Sequence, residues 1–324
     1  MNLHQFRFVQ EAVRRNLNLT ETARVLHTSQ PGISKAILEL EEELGIDIFV
    51  RHGKRLRRVS EPGQKVLESV EIILREVANL RRIGQEFSRQ DVGRLSIATT
   101  HTQARYMLPE PLARLRQIYP KVQVSLHQGT PDQVTAMLLD EVADVGLATE
   151  SVAESDALIT FACHEWQHAM VVPQHHELAQ LPESAVITLE QLQRWPLITY
   201  QPSFAGRKRI DAAFEQRQLT PQIALEAIDS DIIKTYVRLG MGVGIIAEMA
   251  LQPPGQTGEA RPDKDLVWRP LGHLFGSNTS RLAFKRGVYA RDYVLTFAEL
   301  FSPRLTRELL LRTLQGPGKD HYEL

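Results

Sequence analysis

Residues 26–45 read LHTSQPGISKAILELEEELG. A helical period runs through the stretch, yet it opens on small polar residues and a Pro31–Gly32 pair and keeps its apolar residues for later. Ser29 has the side chain of an N-cap, able to accept a backbone N–H of the first turn. Pro31 falls in that turn, where proline's missing donor does no harm and its fixed φ favours the helix. Ile33, Ile37, Leu40 and Leu44 then recur at spacings of four, three and four, which puts them on one face. Gly45 closes the helix. Thr28, Ser29, Gln30, Pro31, Ser34 and Lys35 make the front of the opposite face. Short polar side chains at a helix start suit an element whose end enters a DNA major groove, where base edges and phosphates are contacted at close range.

The flanks extend this reading. Leu3, Phe6, Phe8, Val9 and Val13 supply an apolar face for a first helix, and Asn18 or Thr20 can cap a second that contains Ala23 and Leu26. With the third, they give the helix–turn–helix layout. Downstream, DIFVRHGKRLRRVSEPGQ (47–64) reads as an extended piece with Ile48 and Phe49, leading into a hairpin with Gly53 at its tip. Residues 51–58 hold Arg51, His52, Lys54, Arg55, Arg57 and Arg58 and no acid. Backbone phosphates require this local charge, whatever the balance of 38 basic against 39 acidic residues in the whole chain. A surface helix pair with a solvated basic loop is the plainer alternative; it covers each element but not their order.

From Pro62 to about Phe87 the pattern is one long amphipathic helix. Val66, Val70, Ile73, Val77 and Leu80 repeat at four, three, four and three, a narrow stripe that suits pairing with another helix. Dimerisation would bring two DNA modules to two half-sites. Packing against the helix's own domain is the alternative.

A chain of 324 residues exceeds what one core usually supports. Its 43% hydrophobic and 24% charged residues predict a well-folded soluble protein. The single cysteine, Cys163, excludes an intramolecular disulfide and a cysteine zinc cage. The first residues lack a secretory apolar core, and no apolar run approaches the roughly 20 residues that cross a bilayer. The expected location is the cytoplasm, and neither cofactor nor metal is expected.

Composition changes at Gly93. RLSIA reads as a strand, TTHTQ as a polar loop before a helix, VQVSLHQG as a strand, TPDQVTAMLLDEV as a helix and ADVGLATE as a third strand. This βαβαβ order argues for a parallel sheet. PLITYQPS, FAGRKRIDAAFEQRQ, IALEAI, DSDIIKTYVRLG and VGIIA repeat the order. The predicted fold is α/β in two lobes, the first about 91–162 and 269–305, the second about 163–268. Residues 1–60 form the DNA module, 61–90 the linker helix and 306–324 a C-terminal tail. Ligands in such sheets sit outside the carboxyl ends of the strands.

TTHTQ (99–103) lies at such an end, where helix-start N–H groups favour an anion and Thr100, Thr102 and Gln103 add neutral donors. Ordinary N-capping accounts for one threonine more easily than for the whole cluster. Thr149 ends the third strand, and Ser203 with Gly206 and Arg207 stands at the matching junction of the second lobe. Gly240, Gly242 and Gly244 follow a helix and precede a strand, the reverse of a dinucleotide loop, and read as a C-cap and tight turn. Cys163, His164, Glu165 and His168 lack zinc-type spacing.

TSQPGISK (28–35), ELGIDIFVRHGK (43–54), ATTHTQARY (98–106), VADVGLATE (142–150) and DIIKTYVRLGMGVGIIA (231–247) carry a wider likeness. Through them the chain, up to about residue 305, resembles the LysR-type transcriptional regulators. Within that family it looks like the branch controlling cysteine biosynthesis and sulfur assimilation. The resemblance implies a winged helix–turn–helix that binds promoter DNA and works with RNA polymerase, and a periplasmic-binding-protein-like effector domain. It also implies assembly as a homodimer or homotetramer. The implied effector is a small anion: O- or N-acetylserine, sulfate or thiosulfate. Carried over, the contacts fall on Thr100, His101, Thr102, Gln103 and Thr149, with Trp166 bordering the cleft and Ser203, Ala205 and Gly206 opposite. Ala205 stands where the family pattern leads one to expect a threonine, which keeps a sulfonate or sulfate-ester regulator open. A solute-binding protein, or an enzyme using His101 or His164 as acid–base, is the alternative of a different class.

Overall fold

The computed structural model describes residues 1–53, 55–88, 92–149, 152–153, 155–251, 265–315 and 321–322. It separates into two compact units, Met1–Gln85 and Glu86–Leu324. None of the described helices is long and apolar enough to cross a membrane.

In the first unit, α1 (Leu3–Arg14), α2 (Leu19–Val25) and α3 (Gln30–Leu44) precede β1 (Phe49–His52) and β2 (Arg55–Val59), which pair antiparallel around Gly53. Asn18 caps α2, and Ser29 accepts the Gly32 N–H at the start of α3. Gly45 ends α3 in the left-handed region at φ 68°, a conformation a side chain resists. Phe6, Val9, Ala23, Ile33, Ile37, Leu40, Ile48, Phe49 and Leu56 share one core. Leu44 is exposed, and Glu41 takes the expected apolar place on the buried face.

The long helix α4 (Glu61–Ser88) divides along its stripe. Val66, Leu67 and Val70 pack into the core of the first unit, whereas Ile72, Ile73 and Leu80 are exposed. Both sequence readings of the stripe therefore have residues on their side.

In the second unit, β3 (Gly93–Thr99), α5 (His101–Tyr106), α6 (Pro109–Ile118), β4 (Val122–Gln128), α7 (Pro131–Leu139) and β5 (Val145–Ala148) form the first lobe. Here β3 lies between β4 and β5, parallel to both. The chain then enters β6 (Leu158–Pro173), a strand of 16 residues. Next come α8 (Leu189–Leu192), β7 (Leu197–Tyr200), α9 (Ala205–Gln216), β8 (Ile223–Ala227), α10 (Ser230–Arg238) and β9 (Val243–Ala247), with β7 parallel to β8 and β9. After β10 (Leu266–Pro270), α11 (Gly272–Phe275) and β11 (Ser277–Lys285), the chain closes with α12 (Asp292–Phe301), α13 (Arg307–Gln315) and a two-residue strand β12 (His321–Tyr322).

Three expectations need correction. The polar loop 99–103 is shorter than predicted, because His101, Thr102 and Gln103 already belong to α5. The lobe boundary does not fall at residue 163 between elements. Instead β6 contributes Ile159 and Phe161 to the first lobe's core and Met170 and Val172 to the second's, pairing with β11 from Leu158 to Gln167 and with β9 and β10 beyond. At the other boundary the second lobe runs on past residue 268, since Leu266–Pro270 pairs as one strand with Ala169–Pro173 and Val267 packs there. The tail predicted from residue 306 is helical as far as Gln315, since Leu310 and Leu314, four apart, bury themselves in the first lobe.

Candidate functional site

The front of α3 presents Thr28, Ser29, Pro31 and Lys35 exposed, with Gln30 and Ser34 half-buried. On the hairpin, His52, Arg55, Arg57 and Arg58 are exposed, and Lys54 lies outside the described residues. Arg51 is differently employed. Its Nη2 sits 2.9 Å from Oε2 of buried Glu41, whose Oε1 accepts the Ile48 and Phe49 N–H groups at 2.8 and 2.9 Å. Arg51 thus fastens the hairpin to α3, a task invisible in a sequence that shows only a basic run.

In the second unit a cavity of about 30 Å³ opens between the lobes. On this measure one ordered water occupies roughly 10–15 Å³, so the space fits a solute of a few heavy atoms. Thr100, Thr102, Gln103 and Thr149 line it from the first lobe, Trp166 from β6 and Gly206 from α9. Tyr200, Phe204, Ala247 and Met249 complete the wall. The sequence reading missed these four. Tyr200 and Ala247 end β7 and β9 and were findable by the carboxyl-end rule; Phe204 and Met249 carried no signal. His101, Ser203 and Ala205 do not line the cavity. On α5, His101 turns toward Asp229, 3.9 Å away, and around the start of α9 it is Phe204 and Gly206 that face inward. No room exists for a side chain at 206: a Cβ there would lie 2.8 Å from His168 Nε2.

Polar groups of the wall are linked in chains. The Thr100 hydroxyl donates to Gln103 Oε1 at 3.2 Å, and Gln103 Nε2 donates to Ser280 Oγ at 3.0 Å. Across the lobes, the Thr102 and Ser230 hydroxyls are 3.3 Å apart. Tyr200 OH lies 2.6 Å from Ser230 Oγ and accepts the Ala247 N–H at 2.8 Å. Burial pushes the Tyr200 phenol up to about 12, so it stays a neutral donor. Behind the wall, Trp166 Nε1 and His168 Nε2 are buried without a hydrogen-bond partner among the described residues. Burial, with Arg209 nearby, pulls His168 down to about 3, which keeps it neutral. The 12-residue helix α9 starts without a side-chain cap, leaving its positive end on the cavity. Buried Arg207 anchors that start, donating to the Tyr200 carbonyl and to Glu226, each at 2.7 Å.

A second cross-lobe contact joins α5 to α10. Tyr106 OH donates to Asp231 at 2.6 Å, Arg105 Nε lies 2.7 Å from the same carboxylate, and Lys234 Nζ reaches both Tyr106 OH (3.1 Å) and Asp231 (3.2 Å). His101, Asp229 and Asp231 bring potential ligand atoms within 4.8 Å of one another. With Arg105 and Lys234 already on Asp231, a metal ion there would meet two cations at close range.

Residues 3–64 match the model of the bacterial regulatory helix-turn-helix protein, lysR family, and residues 88–305 that of the LysR substrate binding domain. The chain belongs to the LysR family. Among curated proteins this LysR-family chain is 52% identical to the HTH-type transcriptional regulator CysB of Burkholderia cenocepacia, covering 100% of both chains. To the regulator SsuR of the same species it is 46% identical, over 94% of this chain and 96% of that one. Among solved structures, the cofactor-binding domain of the Cbl transcriptional regulator is similar with a TM-score of 0.63 and 41% identity, covering 69% of this chain and 95% of that one.

Proposed function

We propose that this LysR-family regulator binds promoter DNA through α3 and the β1–β2 hairpin and senses a small oxyanion of sulfur metabolism in the inter-lobe cavity. The observation that carries the reading is the cavity: neutral donors from both lobes converge on a space of about 30 Å³. Sulfate or thiosulfate comes nearer that volume than an acetylserine, which has more heavy atoms and needs the lobes further apart. The closest relation to function is control of sulfur assimilation or cysteine biosynthesis, in the cytoplasm, as a homodimer or homotetramer acting with RNA polymerase. Exposed Ile72, Ile73 and Leu80 on α4 support self-association. A ligand shifts the regulator only through unequal affinity for its arrangements, and a coupling of about 1–3 kcal/mol is ordinary.

Calorimetry against sulfate, thiosulfate and acetylserines tests the sensor. Thr100→Val, which keeps the shape and removes the hydroxyl, is expected to weaken oxyanion binding by about ten- to a hundredfold, the cost of a missing hydrogen bond to charge. Equal heats for the variant and the wild type would remove the loop from the site. For DNA, Arg55→Ala is expected to weaken binding to all sequences and lower the salt slope by about one, whereas Gln30→Ala should relax sequence preference. Unchanged binding curves in both variants would mean that α3 and the hairpin do not contact DNA.

Catalysis finds little support. Burial raises the Cys163 thiol to about 11, leaving it protonated and a poor nucleophile. His168, neutral and enclosed, faces aromatic rings and Asn278 rather than a nucleophile. A turnover assay with the same anions checks this.

A further inference from the structure

The Gln103 side chain bridges Thr100 Oγ1 and Ser280 Oγ, at 3.2 and 3.0 Å. A primary amide offers an acceptor and a donor of nearly equal size, so turning it over exchanges Oε1 and Nε2 with little change in packing. In the sense seen, Gln103 donates to Ser280, and the Thr100 hydroxyl spends its one proton on Gln103 Oε1. Thr100 then has only lone pairs to offer the cavity, and lone pairs repel an anion.

The opposite sense reverses every donor. Ser280 O–H donates to Gln103 Oε1, Gln103 Nε2 donates to Thr100 Oγ1, and the Thr100 O–H is released toward the cavity. We propose that an oxyanion entering the cavity reverses this relay, and that Ser280, which does not line the cavity, is the positioning residue that makes the reversal possible. The inference rests on reading the cavity as an anion site. Only a group able both to accept and to donate can terminate the relay, and a hydroxyl is one. Its proton is now lightly committed, to Met107 Sδ at 3.6 Å, so redirecting it costs little. Ser280 is fully buried, so bulk water does not replace it. Hydrogen bonds aligned in one direction polarise one another, so the reversed chain delivers a stronger donor at its end. The Thr102–Ser230–Tyr200 chain needs no such reversal, because its hydroxyls can each rotate. Ser280 also stands at the register shift between β11 and β6, the strands that pass between the lobes. The sense of the relay is therefore felt where the lobes are joined.

The test is a double-mutant cycle on the full chain, read by calorimetric titration with sodium sulfate. Ser280→Ala is expected to weaken sulfate about tenfold in the wild-type background and to have no effect on top of Thr100→Val, which has no hydroxyl to release. Ser280→Cys, a weaker donor of similar size, should fall between serine and alanine and serves if the alanine variant fails to fold. Equal weakening by Ser280→Ala in both backgrounds would mark a merely structural role and overturn the proposal, as would no weakening in either. If Thr100→Val loses sulfate while Ser280→Ala binds like the wild type, the relay falls and the anion cavity stands. If wild type and Thr100→Val bind sulfate alike, the loop leaves the site and the relay falls with it; if neither binds sulfate, the anion reading itself falls and takes the relay with it.

Discussion

Replacing Glu41 by alanine is expected to lower the stability of the N-terminal unit by about 3–5 kcal/mol, a large share of the roughly 5–15 kcal/mol of a typical domain. Glu41 is 5% exposed, and its two oxygens answer three donors: the Ile48 and Phe49 amides and the Arg51 guanidinium. Truncation leaves two buried N–H groups unpaired, at about 1–3 kcal/mol each, beside a cation that has lost its counter-charge. These donors lie where α3 hands the chain to the hairpin, so the loss should detach the hairpin from α3. Glu41→Gln retains an acceptor oxygen and should cost less. Scanning calorimetry of the full chain, following the N-terminal transition, together with DNA binding, reads both effects. A Glu41→Ala melting point within a degree of wild type would show that the carboxylate is dispensable.

The second large effect is expected at Asp231. Its carboxylate gathers Tyr106, Arg105 and Lys234, and Lys234 is 4% exposed. Asp231→Ala should cost about 1–3 kcal/mol, less than a fully enclosed pair because part of the carboxylate sees water. It should also loosen α5 from α10 and so separate the lobes, visible as a larger radius of gyration in solution scattering. Burial alone would raise this carboxyl, but the Tyr106 hydroxyl and Lys234 outweigh it and hold it below its ordinary value. A carboxyl depressed in the folded state stabilises fully above the unfolded value and loses that contribution as pH falls through the folded one. Wild-type stability in the second unit should therefore decline below about pH 4 by an increment that Asp231→Ala lacks. Parallel stability curves for the two proteins across that range would exclude a cross-lobe role for this carboxylate.

Much of the molecule was legible without coordinates, for a local reason. The cap at Ser29, the stop at Gly45 and the hairpin tip at Gly53 depend on the conformations of adjacent residues, so their signals lie within a few positions of one another. Alternating β and α patterns likewise announced the parallel strands of each lobe. Thr100, Thr102, Gln103 and Thr149 stood out because carboxyl ends of parallel strands are where ligands gather, and all four line the cavity.

What escaped that reading depends on residues far apart in the chain. Glu41 drew no notice in the sequence, and only the chain turn places Ile48, Phe49 and Arg51 around it. Ser280 and Ser230 are unremarkable in sequence, yet lie 177 and 128 positions from Gln103 and Thr102, their hydrogen-bond partners. The sequence by itself determined the elements, their order and the donors offered by the first lobe, because propensity, capping and period act over a few residues. Tertiary structure alone decided which polar groups meet across the cleft, because hydrogen bonding is short-ranged in space and indifferent to separation along the chain.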